Sequence, residues 1–215
     1  SYRYSNFYAL TMYLLSIECS TMFTGLAIIM NRCVLAKRIW KSGDASMEIL
    51  PAIDEILNRT KMRPEMFEYF IISSGPGSWT GIRLGFSVAY GLSSANEKKI
   101  FGLSTIESIA YKFRDAGPTG VFLPSAGDSV HYGIFNEPAL LEKKHGKLFI
   151  CKREQLHLKL GKACVIAGPD EKILSSFGSD RIVRKVRPCP VLNAILALER
   201  IKNCVSSIRQ PYYEK

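Results

Sequence analysis

Hydrophobic positions first gather in short β-prone runs at Tyr13–Ile17, Thr24–Met30 and Val34–Trp40, and the Asn31-Arg32 link is short enough for a hairpin. A three-stranded antiparallel meander follows from that spacing. From Ser46 the period changes: Ile49, Leu50, Ile53, Ile56 and Leu57 share one helical face, with Glu48, Asp54 and Glu55 opposite. Pro51 either starts this helix or kinks it. Phe70-Ile71-Ile72 then reads as a buried strand, stopped by Gly75-Pro76-Gly77, and Ser78 or Thr80 caps a helix running to Ser94.

Downstream the pattern continues to alternate. Residues 99–102 read as a strand, 104–113 as a helix and Gly117-Pro118 as a break. Residues 121–124, 130–135, 149–151 and 163–167 read as strands, and 143–147 as a charged turn. Gly168-Pro169-Asp170 caps a helix reaching about residue 176, and Leu192, Ile195, Leu196, Leu198 and Ile201 mark another over 191–204. No internal repeat is visible. This order divides the chain into an extension (1–11), a first lobe (12–103), a second lobe (104–205) and a tail (206–215).

The helix after the glycine turn is unusual. Gly81, Gly85 and Ala89 form a stripe of small residues, flanked by Leu84, Val88 and Leu92 on one side and Ile82, Phe86 and Tyr90 on the other. Arg83, Ser87 and Ser94 are its polar edge. Each interior glycine costs about 1 kcal/mol relative to alanine, so close approach of another backbone is expected along the stripe.

Gly75-Pro76-Gly77-Ser78-Trp79-Thr80-Gly81-Ile82-Arg83-Leu84-Gly85 resembles the signature of the TsaB/YeaZ family, and Gly102-Leu103-Ser104-Thr105-Ile106-Glu107 and Gln210-Pro211-Tyr212 resemble further family segments. The resemblance implies an α/β, actin/Hsp70/RNase H-like (ASKHA) fold: two lobes, each a mixed sheet flanked by helices. It implies a catalytically silent scaffold or activator subunit, partner to a TsaD-type protein that places threonylcarbamoyl on tRNA adenosine 37. The contact would use the helices near 47–59 and 79–94, through Ile49, Ile53, Ile56, Gly81, Arg83, Gly85 and Ala89. The same face would serve a second copy of the chain, and a TsaE-type ATPase is a further implied partner. The family's Asp-Ala-Arg and Glu-Val-Tyr segments are largely replaced here, with Ser125, Gly127 and Val130 at the lost positions.

Composition narrows the class without fixing chemistry. The chain has 215 residues, 47% hydrophobic and 22% charged, with a formal net charge of +10. Residues 142–215 hold 16 Lys+Arg against 7 Asp+Glu, so most of the excess lies there. Such a basic third suits tRNA, an acidic partner or plain solvation. Six cysteines without a Cys-x-x-Cys pair read as reduced thiols, and Glu18 interrupts the apolar stretch before Cys19. A cytoplasmic protein without a membrane span is the expectation.

Candidate chemistry is sparse. Gly75, Gly77, Ser78 and Thr80 form a phosphate-cradle candidate that lacks the P-loop lysine and is off register for a dinucleotide site. Glu18 ends the first strand where catalytic ASKHA proteins carry a magnesium-phosphate Asp, and a lone carboxylate is a poor magnesium site. His131, His145 and His157 have no metal-ligand spacing, and no Gly-x-Ser-x-Gly elbow is present. The expectation is no catalytic residue, no metal and no cofactor on the chain alone, with ATP/Mg at an interface with a partner. The alternative is an ATP/Mg-dependent phosphotransferase or ATPase using Glu18 and the glycine loop.

Overall fold

The computed structural model describes residues 11–95, 97–136, 147–178 and 180–203. The expected tail motif, residues 1–10 and most of the charged turn lie outside that set. The first half runs β1 (Tyr13–Glu18), β2 (Phe23–Met30), β3 (Cys33–Lys41), α1 (Ala45–Thr60), β4 (Tyr69–Gly75), α2 (Trp79–Ser94), β5 (Lys99–Ser104) and α3 (Thr105–Tyr111). The second half runs β6 (Thr119–Pro124), β7 (Ser129–Phe135), β8 (Phe149–Lys152), α4 (Leu156–Lys159), β9 (Val165–Gly168), α5 (Glu171–Leu174), β10 (Ile182–Lys185) and α6 (Pro190–Lys202).

The meander forms as expected, with Tyr13 opposite Met30 and Phe23 opposite Lys41. β4 then pairs parallel to β1, and β5 parallel to β4, giving the order β3-β2-β1-β4-β5. The second sheet has the order β10-β9-β6-β7-β8, with β6, β7 and β8 antiparallel and β9 and β10 added in parallel. Read from its other edge this is the first sheet again. The chain therefore repeats one topology twice, although its sequence shows no repeat.

Period-2 alternation sends Leu15 and Ile17 to one face of the first sheet and Leu14 to the other. The first face packs under α1 and α2 through Ile49, Ile53, Ile56, Ile82, Phe86 and Ala89. The opposite face joins α3, α6 and the second sheet in one core, through residues such as Ile106, Ile109, Ala194, Leu196, Val121 and Leu123. A third core, with Phe122, Val130, Leu156, Ile166 and Ile173, fills the far side of the second sheet.

Several expectations change in detail. α1 starts at Ala45, capped by Asp44, so Pro51 sits inside the helix. Its ring faces solvent, where water can serve the Met47 carbonyl that loses its donor. Leu50, expected on the buried face, is exposed. β10 and α4 were not anticipated: β10 is polar and largely exposed, and α4 is a single turn. The 191–204 helix, assigned to the second lobe, is α6 and packs on β1, β2 and β4 of the first sheet.

Candidate functional site

The end of β1 shows how the first half is closed. Glu18 is 1% exposed, and its carboxylate accepts from the Ser20 backbone N–H at 2.7 Å, the Ser20 hydroxyl, the Ser73 hydroxyl and Asn193 Nδ2 at 2.8 Å. Ser73 lies on β4 and Asn193 in α6, so one side chain ties together two strands and the helix returning from the second half. A buried carboxylate without a cation must be satisfied by several donors, and this one is. Glu18 is thus an internal acceptor, with its oxygens turned into the protein. As a magnesium or phosphate ligand it does not fit, because its lone pairs are already engaged.

The glycine turn closes against the same place. Ser78 N–H donates to the Ser20 carbonyl at 2.6 Å, so a cradle amide is used within the chain. A Cβ on Gly77 would lie 2.2 Å from the Ser20 carbonyl oxygen, and one on Gly81 would lie 1.9 Å from that of Cys19. The backbone pressed against the stripe therefore belongs to this chain's own β1–β2 turn. Gly85 is also buried, with the Cys19 Cβ 4.0 Å from where its own would be, and Ala89 lies in the core. Burial pushes the Cys19 thiol up to about 12, with the neighbouring Glu18 charge adding to the effect, so it stays protonated. Ser78 caps α2 by accepting from Gly81 N–H at 3.2 Å.

Above this closed junction lies a cleft of about 740 Å³ between the two sheets. Ser20, Thr21, Met22, Gly77 and Ser78 line one side, and Pro124, Arg153, Asp170 and Lys172 the other. Gly77 and Ser78 thus face the cleft, Gly75 is buried, and Thr80 is exposed away from the lining residues. Arg153 lies 3.5 Å from Asp128 and 3.8 Å from Asp170, which draws its charge into the wall. Among the described residues no group of three or more His, Cys, Asp or Glu side chains could hold a metal ion.

The α1–α2 face carries large apolar side chains in the open. Met47 is 73% exposed, Leu50 57%, Trp79 49% and Tyr90 51%. On α2, Trp79, Arg83, Ser87 and Tyr90 recur at helical spacing, and the Arg83 guanidinium sits 4.5 Å from the Trp79 ring centroid. Exposed apolar side chains on two adjacent helices make this face a candidate interaction surface. Of the expected interface set, Ile49, Ile53, Ile56, Gly81, Gly85 and Ala89 are buried in the chain's own core, and Arg83 alone is exposed. The helices were placed correctly and the face was turned inward: Met47, Leu50, Trp79 and Tyr90 replace the buried residues as contact candidates.

Residues 42–146 match the family described as TsaD, tRNA N6-adenosine threonylcarbamoyltransferase. Curated relatives named tRNA threonylcarbamoyladenosine biosynthesis protein TsaB match as well. The Bacillus subtilis protein is 30% identical over 100 residues, 46% of this chain and 44% of that protein. The Escherichia coli protein is 29% identical over 111 residues, 51% of this chain and 48% of that protein. YeaZ from Pseudomonas aeruginosa superposes with a TM-score of 0.75 at 16% identity, covering 94% of this chain and 100% of that one. In sequence over about half its length, and in fold over nearly all of it, the chain is similar to the TsaB/YeaZ proteins.

In sequence the match spans a little under half of each of these curated TsaB proteins. The structural likeness extends the shared TsaB/YeaZ fold over nearly the whole chain. The ASKHA fold is also that of the Clostridium difficile activator of 2-hydroxyisocaproyl-CoA dehydratase, solved with bound ADPNP, at a TM-score of 0.56 and 10% identity. No described helix is long and apolar enough to cross a membrane.

The sequence does not show which side of α2 is exposed, for a simple reason. A helix that is apolar nearly all round does not reveal which side its own sheet takes. Helical spacing of Trp79 and Tyr90 on the Arg83–Ser87 edge was the available signal. Asn193 gave no local signal, because its partners Glu18 and Ser73 are 175 and 120 residues away.

Proposed function

We propose that this chain is a non-catalytic scaffold subunit in N6-threonylcarbamoylation of tRNA adenosine 37, binding a TsaD-type protein through the exposed face of α1 and α2. The observation that carries this reading is the apolar surface of Met47, Leu50, Trp79 and Tyr90 on helices within the family-matched region. Burying such side chains contributes about 25 cal/mol per Å² of apolar area, and aromatic residues are favoured interface anchors. The scaffold role rests on the resemblance to TsaB/YeaZ proteins together with Glu18 and the glycine turn being engaged inside the chain. In this reading a TsaE-type ATPase, and any ATP/Mg that the assembly uses, bind at surfaces completed by the partner.

Size-exclusion chromatography with light scattering tests the contact, using the chain alone and mixed with the TsaD-type protein of the same organism. The expected result is a complex that Leu50→Arg with Tyr90→Arg abolishes, while circular dichroism shows both proteins equally folded. A dimer of the chain alone, lost in the same variant, assigns that face to self-association as well. Full complex formation by the folded variant overturns the proposed surface.

A further inference from the structure

A second cavity, of about 860 Å³, lies on the opposite side of the first sheet from α1 and α2, between β3, the end of α3 and the segment leading into α6. Its lining includes Lys37, Lys112, Lys185 and Arg187, and among the described residues that line it none is acidic. All four cations are exposed. They converge from three separate stretches of sequence, so the basic character of the groove is a product of the fold.

The floor, with Leu35, Val186 and Leu192, is apolar. β3 is the edge of its sheet, which raises the alternative of an extended acidic peptide adding as a strand. The edge is unsuited to that. Its register breaks between Ile28 and Ile29, leaving Leu35 as an extra residue, and Lys37 follows two positions later. A bulge and a lysine are the devices by which edge strands resist another strand. Four cations around a wide groove, on a chain of net charge +10, match the repeating charge of a phosphodiester backbone.

We infer that this groove binds the sugar–phosphate backbone of RNA. Arg187 also lines the cleft between the sheets, and its guanidinium stands 4.0 Å from the Phe23 ring centroid. Its charge is thereby held where groove and cleft join. Lys185 pairs with Glu171 at 2.5 Å, an exposed ion pair that a phosphate can displace. The choice of tRNA as the RNA to test rests on the proposed function; the groove itself does not.

The test is fluorescence anisotropy of a fluorescein-labelled, unmodified tRNA transcript titrated with the full chain from about 50 to 200 mM salt. Lys37→Gln, Lys112→Gln, Lys185→Gln and Arg187→Gln together should flatten the log–log salt slope by about 3, which at ~0.1 M salt weakens binding on the order of a thousandfold. A control removes as many exposed cations elsewhere (Arg59→Gln, Lys61→Gln, Arg63→Gln and Lys99→Gln) and should leave the slope near its natural value. Equal losses in both variants, no tRNA binding by the natural chain, or competition by poly-glutamate as effective as unlabelled tRNA at matched charge would each overturn the inference. Complex formation with the TsaD-type protein, measured on the same variants, keeps the two proposals apart. A groove variant that loses tRNA and keeps the complex supports both, and a natural chain that forms the complex without binding tRNA removes the groove alone.

Discussion

The two halves of this protein use one blueprint, three antiparallel strands followed by helix, strand, helix, strand, helix, and spend it differently. In the first half the helices after the third and fourth strands have 16 residues each; their counterparts α4 and α5 have 4 each. In the first half the turn after the opening strand is packed under Gly77 and Gly81. In the second half the turn at Gly127 has open space around it. Long helices cover a sheet and still present an outer face, whereas one-turn helices cover what they can and present little. The surface proposed for a partner accordingly lies on the first half.

The third helix of each half is kept, and those two meet. Arg200 of α6 and Glu107 of α3 form an ion pair at 3.0 Å with both side chains fully buried. Removing one partner takes the opposite charge away from a buried one, so Arg200→Met should lower unfolding free energy by about 3–5 kcal/mol in urea titrations. Pairing it with Glu107→Leu should restore much of the loss, since an apolar pair of similar volume often matches a buried ion pair. A loss below about 1 kcal/mol in the single variant would show that the halves are not joined through this contact.

The contrast between turns gives a medium-sized effect. Gly81→Ala places a methyl against the Cys19 carbonyl oxygen, which requires the β1–β2 turn or α2 to shift. The expected loss is about 3 kcal/mol, the upper range for overpacking. Gly127→Ala meets no neighbour, and only its φ of 61° opposes a side chain. That should cost about 1 kcal/mol. Equal losses at the two sites would erase the distinction between a closed turn and an open one.

What could be read from sequence follows this division. The meander, both long helices, the Ser78 cap and the family signature are local patterns, and each appears where expected. The second half depends on pairings its sequence hardly marks: β10 is exposed and polar, and α4 is a single turn flanked by charged residues. The duplication itself is held in strand order, which constrains which backbones pair and says little about which side chains do so. Glu18 was legible as a carboxylate at a strand end. Its role was not, because two of the four donors that engage it come from β4 and α6.

The smallest effect separates the starts of the corresponding helices α1 and α4. α4 has no side-chain cap, whereas α1 has two carboxylates at its start. Asp44 accepts from Ser46 N–H at 3.0 Å, and Glu48 accepts from Ser42 Oγ at 2.5 Å and Trp40 Nε1 at 2.7 Å. The Ser42 and Trp40 donors hold the Glu48 carboxyl down at about 2, against an ordinary value of 4.5. A carboxyl whose value falls on folding stabilises the fold above its unfolded value, and the contribution disappears as pH drops toward the folded one. Glu48→Gln should therefore lower the urea midpoint at pH 7, and the gap from the natural chain should narrow as pH falls through 4.5 toward 2. A gap that stays constant over that range would mean that Glu48 acts by packing, and that its charge does not hold the start of α1.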